Sequence, residues 1–395
     1  MSDDKSIQGA KIAPWRDPKI LSRVYQVSVL AFVVSLIWYL GGNTIENLTR
    51  QGVASGFGFW NHTAGFGINS TLIEYSESST YGRVFFVGLL NTLLVSIIGI
   101  IIATALGFTI GIARLSPNWL IARMATVYIE TIRNIPLLLQ IFFWYFGVLR
   151  ALPSPSRSHS LFDAIFVNIR GMQVPAPVPG DGFWAIPFAA VLGILIWTLL
   201  AWRARRRLEL TGRSTNVHWI GFGITVALIA LVTMIMGIPF TWDVPELKGF
   251  NFKGGITIVP ELVALVLALA TYTASFIAEI VRAGILSVEK GQKEAGQAIG
   301  LRPGQVLSLV VIPQALRVII PPLTNQYLNL AKNSSLAAAI AYPDLVQVFA
   351  GTALNQIGQA VEVISITIAV YLTLSLSIAM LMNGYNRRTT FKGKT

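Results

Sequence analysis

The 395-residue sequence has no cysteine, three histidines and few charges, with only 12% Asp, Glu, Lys and Arg, about half the usual globular fraction. The absence of cysteine excludes disulfide frameworks, thiolate metal sites, iron–sulfur clusters and cysteine nucleophiles, and leaves the compartment open. His62, His159 and His218 stand in or beside three different loops. No H-E-x-x-H or His/carboxylate spacing joins them, so no metal site is expected. A phosphate-binding loop is missing too. Gly393-Lys394-Thr395 imitates its end, but Arg388 occupies the position of the first glycine and no helix can follow. Without a catalytic constellation the chain is not expected to be an enzyme, and any work it does must draw on an ion gradient or another subunit.

What the chain has in abundance is apolar sequence, 54% of its residues. A span needs roughly 17 to 25 mostly apolar residues to cross about 30 Å of hydrocarbon. Eight such runs stand out, near residues 24–41, 84–113, 125–149, 183–202, 217–238, 262–280, 318–341 and 363–382. The fold class expected is an all-α membrane protein of about eight transmembrane helices. The third run carries Glu130 and Arg133 before it turns wholly apolar, which suggests a start in the headgroup region. The seventh is unusual in holding Asn325, Gln326, Asn329, Lys332, Asn333, Ser334 and Ser335. A cleaved signal peptide fits the first run poorly, because a 23-residue segment with eight charges precedes it and Gly41-Gly42 is a faint cleavage site. The polar loop that follows holds sequons at Asn47, Asn61 and Asn69, which matter only in a glycosylating compartment.

The basic excess, 30 Lys+Arg against 18 Asp+Glu, reads as an orientation signal. Eight spans put both termini on one side. That side holds 21 Lys+Arg against seven acids, whereas the other holds seven of each. Lys and Arg are retained in cytoplasmic loops, so both termini are expected in the cytoplasm. The charges are scattered over five loops beside membrane ends, which does not resemble a nucleic-acid footprint.

One loop carries a pattern. Residues 288–300 read Val-Glu-Lys-Gly-Gln-Lys-Glu-Ala-Gly-Gln-Ala-Ile-Gly, a short helix with small residues at Ala295, Gly296 and Ala298. Gly300 in the C′ position ends it and Pro303 opens another helix. Small residues allow another surface close to the backbone, and acidic and amide side chains orient it, as suits docking in a groove.

Here the sequence resembles the integral membrane permease subunits of bacterial ABC importers for polar amino acids. Their signature runs Glu-Ala-Ala, three residues, Gly, nine residues, Ile, one residue, Leu-Pro. This chain has Glu294, Ala295, Gly296, Gly300, Val310, Ile312 and Pro313, departing with Gly for the second Ala, Val for Ile and Ile for Leu. Arg133-Asn134-Ile135-Pro136-Leu137-Leu138 is similar to the family's Arg-x-x-Pro-Leu-Leu segment. Lys332-Asn333-Ser334-Ser335-Leu336, with Asp344 downstream, is similar to its Lys-x-Ser/Thr-Ser-Leu element. The resemblance covers residues 84–149 and 262–383 and implies a five-helix type I ABC importer permease core. An inserted two-helix segment (150–261), a first helix with its periplasmic loop (24–83), an N-terminal segment (1–23) and a basic tail (384–395) would surround it. The length and inserted spans resemble the larger permeases of general L-amino-acid importers, where two related permease chains pair.

The resemblance implies a bacterial inner-membrane location, no cofactor on this chain, and ATP used by a partner ATPase. Its other partners would be a second permease chain, a periplasmic amino-acid-binding protein, an amino-acid substrate and lipid. It assigns ATPase coupling to Glu294, Ala295, Gly296, Gly300 and Pro313.

The residues themselves add a candidate site. If Pro321-Pro322 opens the seventh helix near the cytoplasmic interface, Lys332 lies roughly 15 Å deeper, near the midplane. A cation there costs at least about 2.5 kcal/mol and is normally paired or lines a wet cavity. Lys332, Asn333, Ser334 and Asn329 are therefore candidates to hold a substrate carboxylate or side chain, with Gln140 a weaker one and Asn91-Thr92 weaker again. The alternative is that Lys332 pairs with Glu130, Asp344 or Glu362 and serves packing. Glu130 and Arg133 are expected to form a local i,i+3 pair. A gradient-driven secondary transporter, which would also have a midplane site and broken helices, is the competing function. It would leave the coupling-loop motif unexplained.

Overall fold

The computed structural model describes residues 18–50, 55–180, 182–211, 217–236, 240–249 and 251–389. Most of the expected N-terminal segment, the end of the basic tail, Arg213 and the His218 side chain lie outside the described residues.

The first helix, α1 (Pro18–Arg50), is longer than its apolar run, and its membrane-length stretch, Ile20–Thr44, has no buried residues. A polar loop leads to α2 (Tyr81–Ala113), whose N-cap Thr80 accepts a hydrogen bond from the Arg83 backbone N–H. The next two helices, α3 (Trp119–Asn134) and α4 (Leu137–Phe142), correspond to the third apolar run, which was read as one span. The chain instead bends by 106° between them. The physical cause is Pro136: it has no N–H to donate and it forces Ile135 out of the helical region, to φ −99° and ψ 127°. Beyond α4 the helix widens into a π-turn over residues 143–148.

Four short strands follow: β1 (His159–Leu161), β2 (Ile165–Asn168), β3 (Gly171–Val174) and β4 (Ala176–Pro179). The inserted hairpin α5 (Ala185–Thr211) and α6 (Val217–Met236) comes next. The return carries β5 (Phe240–Asp243), β6 (Glu246–Lys248), β7 (Asn251–Lys253) and β8 (Ile256–Ile258). The fold is mostly helical, as expected, and among the described residues eight short strands are added to it in the segments that flank this hairpin. They form an antiparallel sheet in the order β1-β2-β3-β8 and the pairs β4-β5 and β6-β7. β8 runs directly into α7 (Pro260–Leu286).

The remaining elements are α8 (Lys290–Ala298), α9 (Pro303–Gln305), α10 (Ile312–Asn333), α11 (Leu354–Ile357) and α12 (Ala360–Thr389). Pro321 and Pro322 lie inside α10 and do not open it, which corrects the expected helix start. The continuous apolar stretch runs back to Pro303, with a π-turn over residues 306–311 between α9 and α10.

Six described helices are long and apolar enough to cross a membrane, seven with the bent α3–α4 pair, while Trp219–Ile235 of α6 is a shorter apolar helix. The expected eight full-length spans are not reached by that measure.

The core is α2, α7 and α10. Glycines let these helices touch: Gly107 meets Ala274 and Ile277, and Gly111 meets Ala278 and Val281, so α2 and α7 run parallel. Gly99 meets Leu330 and Gly284 meets Ile319, which sets α10 antiparallel to both. Small residues at crossings are the usual means of close approach in lipid, where burial of apolar surface no longer drives association. The strands and the Tyr81 and Pro260 helix starts occupy one end of the bundle; α8, Ala113 and Leu286 occupy the other.

Candidate functional site

Lys332 sits two residues beyond Leu330, which packs on Gly99 near the middle of α2, so it lies at mid-height in the bundle. Its side chain is exposed and lines a largely apolar cavity of about 450 Å³ with Ser335, Val346, Thr367, Ile368, Tyr371, Leu372 and Ser375. Among the described residues no carboxylate lies within 4.0 Å of it. The three alternative partners are engaged elsewhere. Glu130 approaches Arg114 at 3.7 Å, Glu362 accepts from the Gly56 N–H at 2.6 Å, and Asp344 accepts from the Gln347 N–H at 2.9 Å.

Asn329 is exposed three residues earlier, on the same face of α10. Asn333 is half-buried, and Ser334 turns into the core, where its hydroxyl donates to the Ala331 carbonyl at 2.8 Å. Lys332 and Asn329 thus share the open face, and Ser334 does not. Gln140 is also buried, and its amide N–H group donates to the carbonyls of Ile132 and Ile135 at 2.9 and 3.0 Å. It satisfies backbone groups that the Pro136 break leaves open.

Asn91, Thr92 and Asp344, which the sequence offered as weak site candidates and a possible lysine partner, instead join in a polar cluster behind the Lys332 cavity. After Asn333 the chain tightens into a 3₁₀ turn ending at Ala341, in the left-handed region at φ 56°. A π-turn then spans residues 346–353. Asn91 and Thr92 of α2 hold this irregular segment: Asn91 donates to the carbonyls of Pro343 and Ser70, both at 2.9 Å, and Thr92 accepts from the Leu345 N–H at 3.0 Å. Asp344, fully buried, faces the Tyr371 hydroxyl at 3.4 Å. Non-helical backbone inside a membrane bundle is tolerated where protein groups satisfy it or it lines a cavity. The visible signal was Tyr342-Pro343-Asp344, a helix-stopping proline beside an acid.

At the opposite end, α8 has the expected short helix and cap. The Gly300 N–H donates to the Gln297 carbonyl and the Leu301 N–H to the Gly296 carbonyl, at 2.9 and 3.2 Å. This is the Schellman arrangement, and Gly300 supplies its left-handed residue at φ 84°. Gly296 faces inward, and a Cβ there would lie 3.3 Å from Val306. Alanine there, as in the resembled signature, would need the Val306 side chain to give by a few tenths of an ångström. Glu294 and Ala295 point outward and are exposed, while Pro313 stands in the first turn of α10.

The expected Glu130–Arg133 pair is absent among the described residues. Glu279 of α7 is the hub instead: it pairs with Arg114 and, at 2.5 Å, with Arg282. Arg133 stacks over the Phe276 ring at 4.9 Å. The charges at i and i+3 found better partners across the bundle than along their own exposed helix. No group of three or more His, Asp or Glu able to hold a metal occurs among the described residues.

The family model described as "Binding-protein-dependent transport system inner membrane component" matches residues 210–391. The putative amino-acid ABC transporter permease YhdX of Escherichia coli K12 is 52% identical over 94% of this chain and 95% of its own length. The general L-amino acid transport system permease AapQ of Rhizobium johnstonii is 50% identical over 94% and 93%. The glutamate/glutamine/aspartate/asparagine transport permease BztB of Rhodobacter capsulatus is 41% identical over 95% of both. Such identity across nearly whole chains leaves the secondary-transporter alternative unfavoured, and in these importers ATP hydrolysis belongs to a separate subunit. The kinship over nearly the whole length settles the family: the chain belongs to the amino-acid ABC transporter permease family, as a multi-pass inner membrane component.

Proposed function

We propose that this permease carries L-amino acids, of polar or broad range, along the Lys332 cavity, and that α8 transmits the strokes of a partner ATPase. The observation that carries the reading is the exposed, unpaired Lys332 at mid-height on α10. A cation at that depth is normally paired or in water, and every L-amino acid brings a carboxylate to pair with it. Asn329 and Asn333 supply amide dipoles beside it, with Ser334 behind. In this reading the α8 end, with its basic loops, faces the cytoplasm, and a periplasmic binding protein would deliver substrate at the strand end. A second permease chain, identical or related, would close the open side of α10. ATP serves the partner, and this chain needs no cofactor of its own.

Coupling follows from connectivity. α8 hangs between α7 and α9–α10, so a push on Glu294 and Ala295 reaches α10 and its lysine through the Gly296–Val306 contact. Differential ATP affinity for two cavity orientations would shift their populations.

Reconstitution with the ATPase and binding protein tests the proposal. Uptake should depend on ATP, and Lys332→Met should raise the half-saturating amino-acid concentration by about tenfold or more, as for losing a charge-assisted bond of about 1.5–3 kcal/mol. Wild-type rates and affinities in Lys332→Met would refute the carboxylate role. Uptake by this chain alone on an ion gradient would refute the ATP-driven mechanism.

A further inference from the structure

The strand end of the bundle carries two polar cavities that the transport path does not use. The first, of about 400 Å³, lies between residues 55–63 and the Gly358 turn; Ser55, His62, Thr63, Tyr81, Gln356 and Gln359 contribute to its wall. Gln359 is 8% exposed, and its amide oxygen is buried without a hydrogen-bond partner. Leaving such a group unmatched is unfavourable unless something completes it.

The wall is held firmly. The Tyr81 N–H donates to the His62 carbonyl at 3.0 Å, the Tyr81 hydroxyl to Gln356 at 2.9 Å, and the Gly56 N–H to Glu362 at 2.6 Å. Beneath it, Phe59 packs against Tyr81 and Phe349.

The second cavity, of about 520 Å³, is lined by Glu74, Tyr75, Ser76, Ser79, Thr80 and Arg83. Thr63 and Thr80, one from each cavity, are joined by a β-bridge, so the two cavities flank one strut. Arg83 is anchored by its Nε–H on the Glu74 carbonyl at 2.9 Å, and its side chain is exposed with no carboxylate within 4.0 Å among the described residues. Burial, with Glu77 and Tyr81 nearby, pushes the Tyr75 phenol above its ordinary value, so it stays a donor.

The chemistry narrows the occupant. Hydroxyls, amides and an imidazole do not suit lipid tails. A free amino acid carries two opposite charges, and the first cavity has no Lys, Arg, Asp or Glu in its wall to meet them. A neutral hydrogen-bonding side chain of a protein fits it, and a carboxylate of the same protein fits Arg83. The matching family model describes a component of a binding-protein-dependent transport system, and in the transport reading above the soluble binding protein meets the chain at this end.

We propose that residues 55–83 and the Gly358 turn form the docking surface for the soluble binding protein. It places an amide or hydroxyl side chain against Gln359 and an acidic one against Arg83. The proposal rests on the transport reading above and adds the surface that meets the partner.

The test titrates the binding protein that drives uptake into liposomes holding the wild-type assembly. Thr63→Trp, which fills the first cavity, and Arg83→Glu, which reverses the second, should each raise its half-saturating concentration about tenfold, with the maximal rate held within about twofold. Unchanged half-saturation in both overturns the proposal, and so does a fall in maximal rate alone, which would place these residues in folding or gating. A photo-crosslinking residue at Ser55 or Ser76 should form an adduct with the binding protein, and no adduct at either position overturns the proposal independently of variant folding. Wild-type uptake indifferent to added binding protein would instead overturn the transport reading itself.

Discussion

Gly88 shows how closely the irregular 341–353 segment is seated on α2. A Cβ at this position would lie 2.8 Å from both the Leu345 Cα and a Val348 methyl, and the backbone atom cannot swing aside. Overpacking of this kind costs about 1–3 kcal/mol. Gly88→Val should therefore lower the melting temperature of the detergent-solubilised protein by several degrees, whereas Gly223→Ala, where nothing lies within 4 Å, should leave it unchanged. The roles of Gly88, Asn91 and Thr92 were not legible in the sequence, because each depends on a turn about 250 residues away. Lys332 stood out as a candidate because its cost is local: a cation inside an apolar run needs an explanation wherever the run folds. Which of its neighbours share its face became clear only with the helix phase, which separates Asn329 from Ser334.

Elements were legible where their punctuation is local. Glycine at 300 and proline at 303 announced the end of α8 and the start of α9, and the hydrogen bonds at that cap follow the expected pattern. Replacing Gly300 by Val forces a branched residue to φ 84°, at a cost of about 1–2 kcal/mol. ATP hydrolysis by the assembled transporter should then persist while uptake falls, measured as the ratio of amino acid imported to phosphate released. Prolines misled where their effect depends on surroundings. Pro136 breaks its helix by 106°, but Pro321 and Pro322 sit inside α10. The difference lies in which carbonyls lose their donors and what replaces them. At the bend, Gln140 donates to the part-buried carbonyls of Ile132 and Ile135, the first of which also accepts from the Ile135 N–H, so Gln140→Leu should destabilise by no more than about 1 kcal/mol, measured by thermal melting, because it also removes the unpaired Gln140 amide oxygen. In α10 the carbonyls without an i+4 donor are those of Arg317 and Val318, and the helix nevertheless runs on to Asn333.

At the scale of the molecule, the core and the insert are joined in few places. α5 and α6 pack chiefly on each other, and the insert's main tie to the core is the sheet, where β3 pairs with β8 and β8 leads into α7. Small strands of three or four residues bounded by Gly and Pro carry too little period-2 pattern to be seen in the sequence, so only the two helices of the insert were expected. Their pairing has a consequence for what can be removed. β4 and β5 are antiparallel, and Pro179 stands opposite Phe240, so the two chain ends that bracket α5 and α6 are already adjacent. Residues 180–239 can therefore be replaced by an Asn-Gly turn without stretching the sheet, since two-residue hairpins of that type match the twist of paired strands. The shortened chain should insert and purify as a monodisperse particle with a melting temperature close to that of the full chain, because α2, α7 and α10 lose no packing surface. A collapse of yield and melting temperature would mean that the hairpin braces the core directly. A folded particle that no longer pairs with a second permease would locate the hairpin's contribution at that interface.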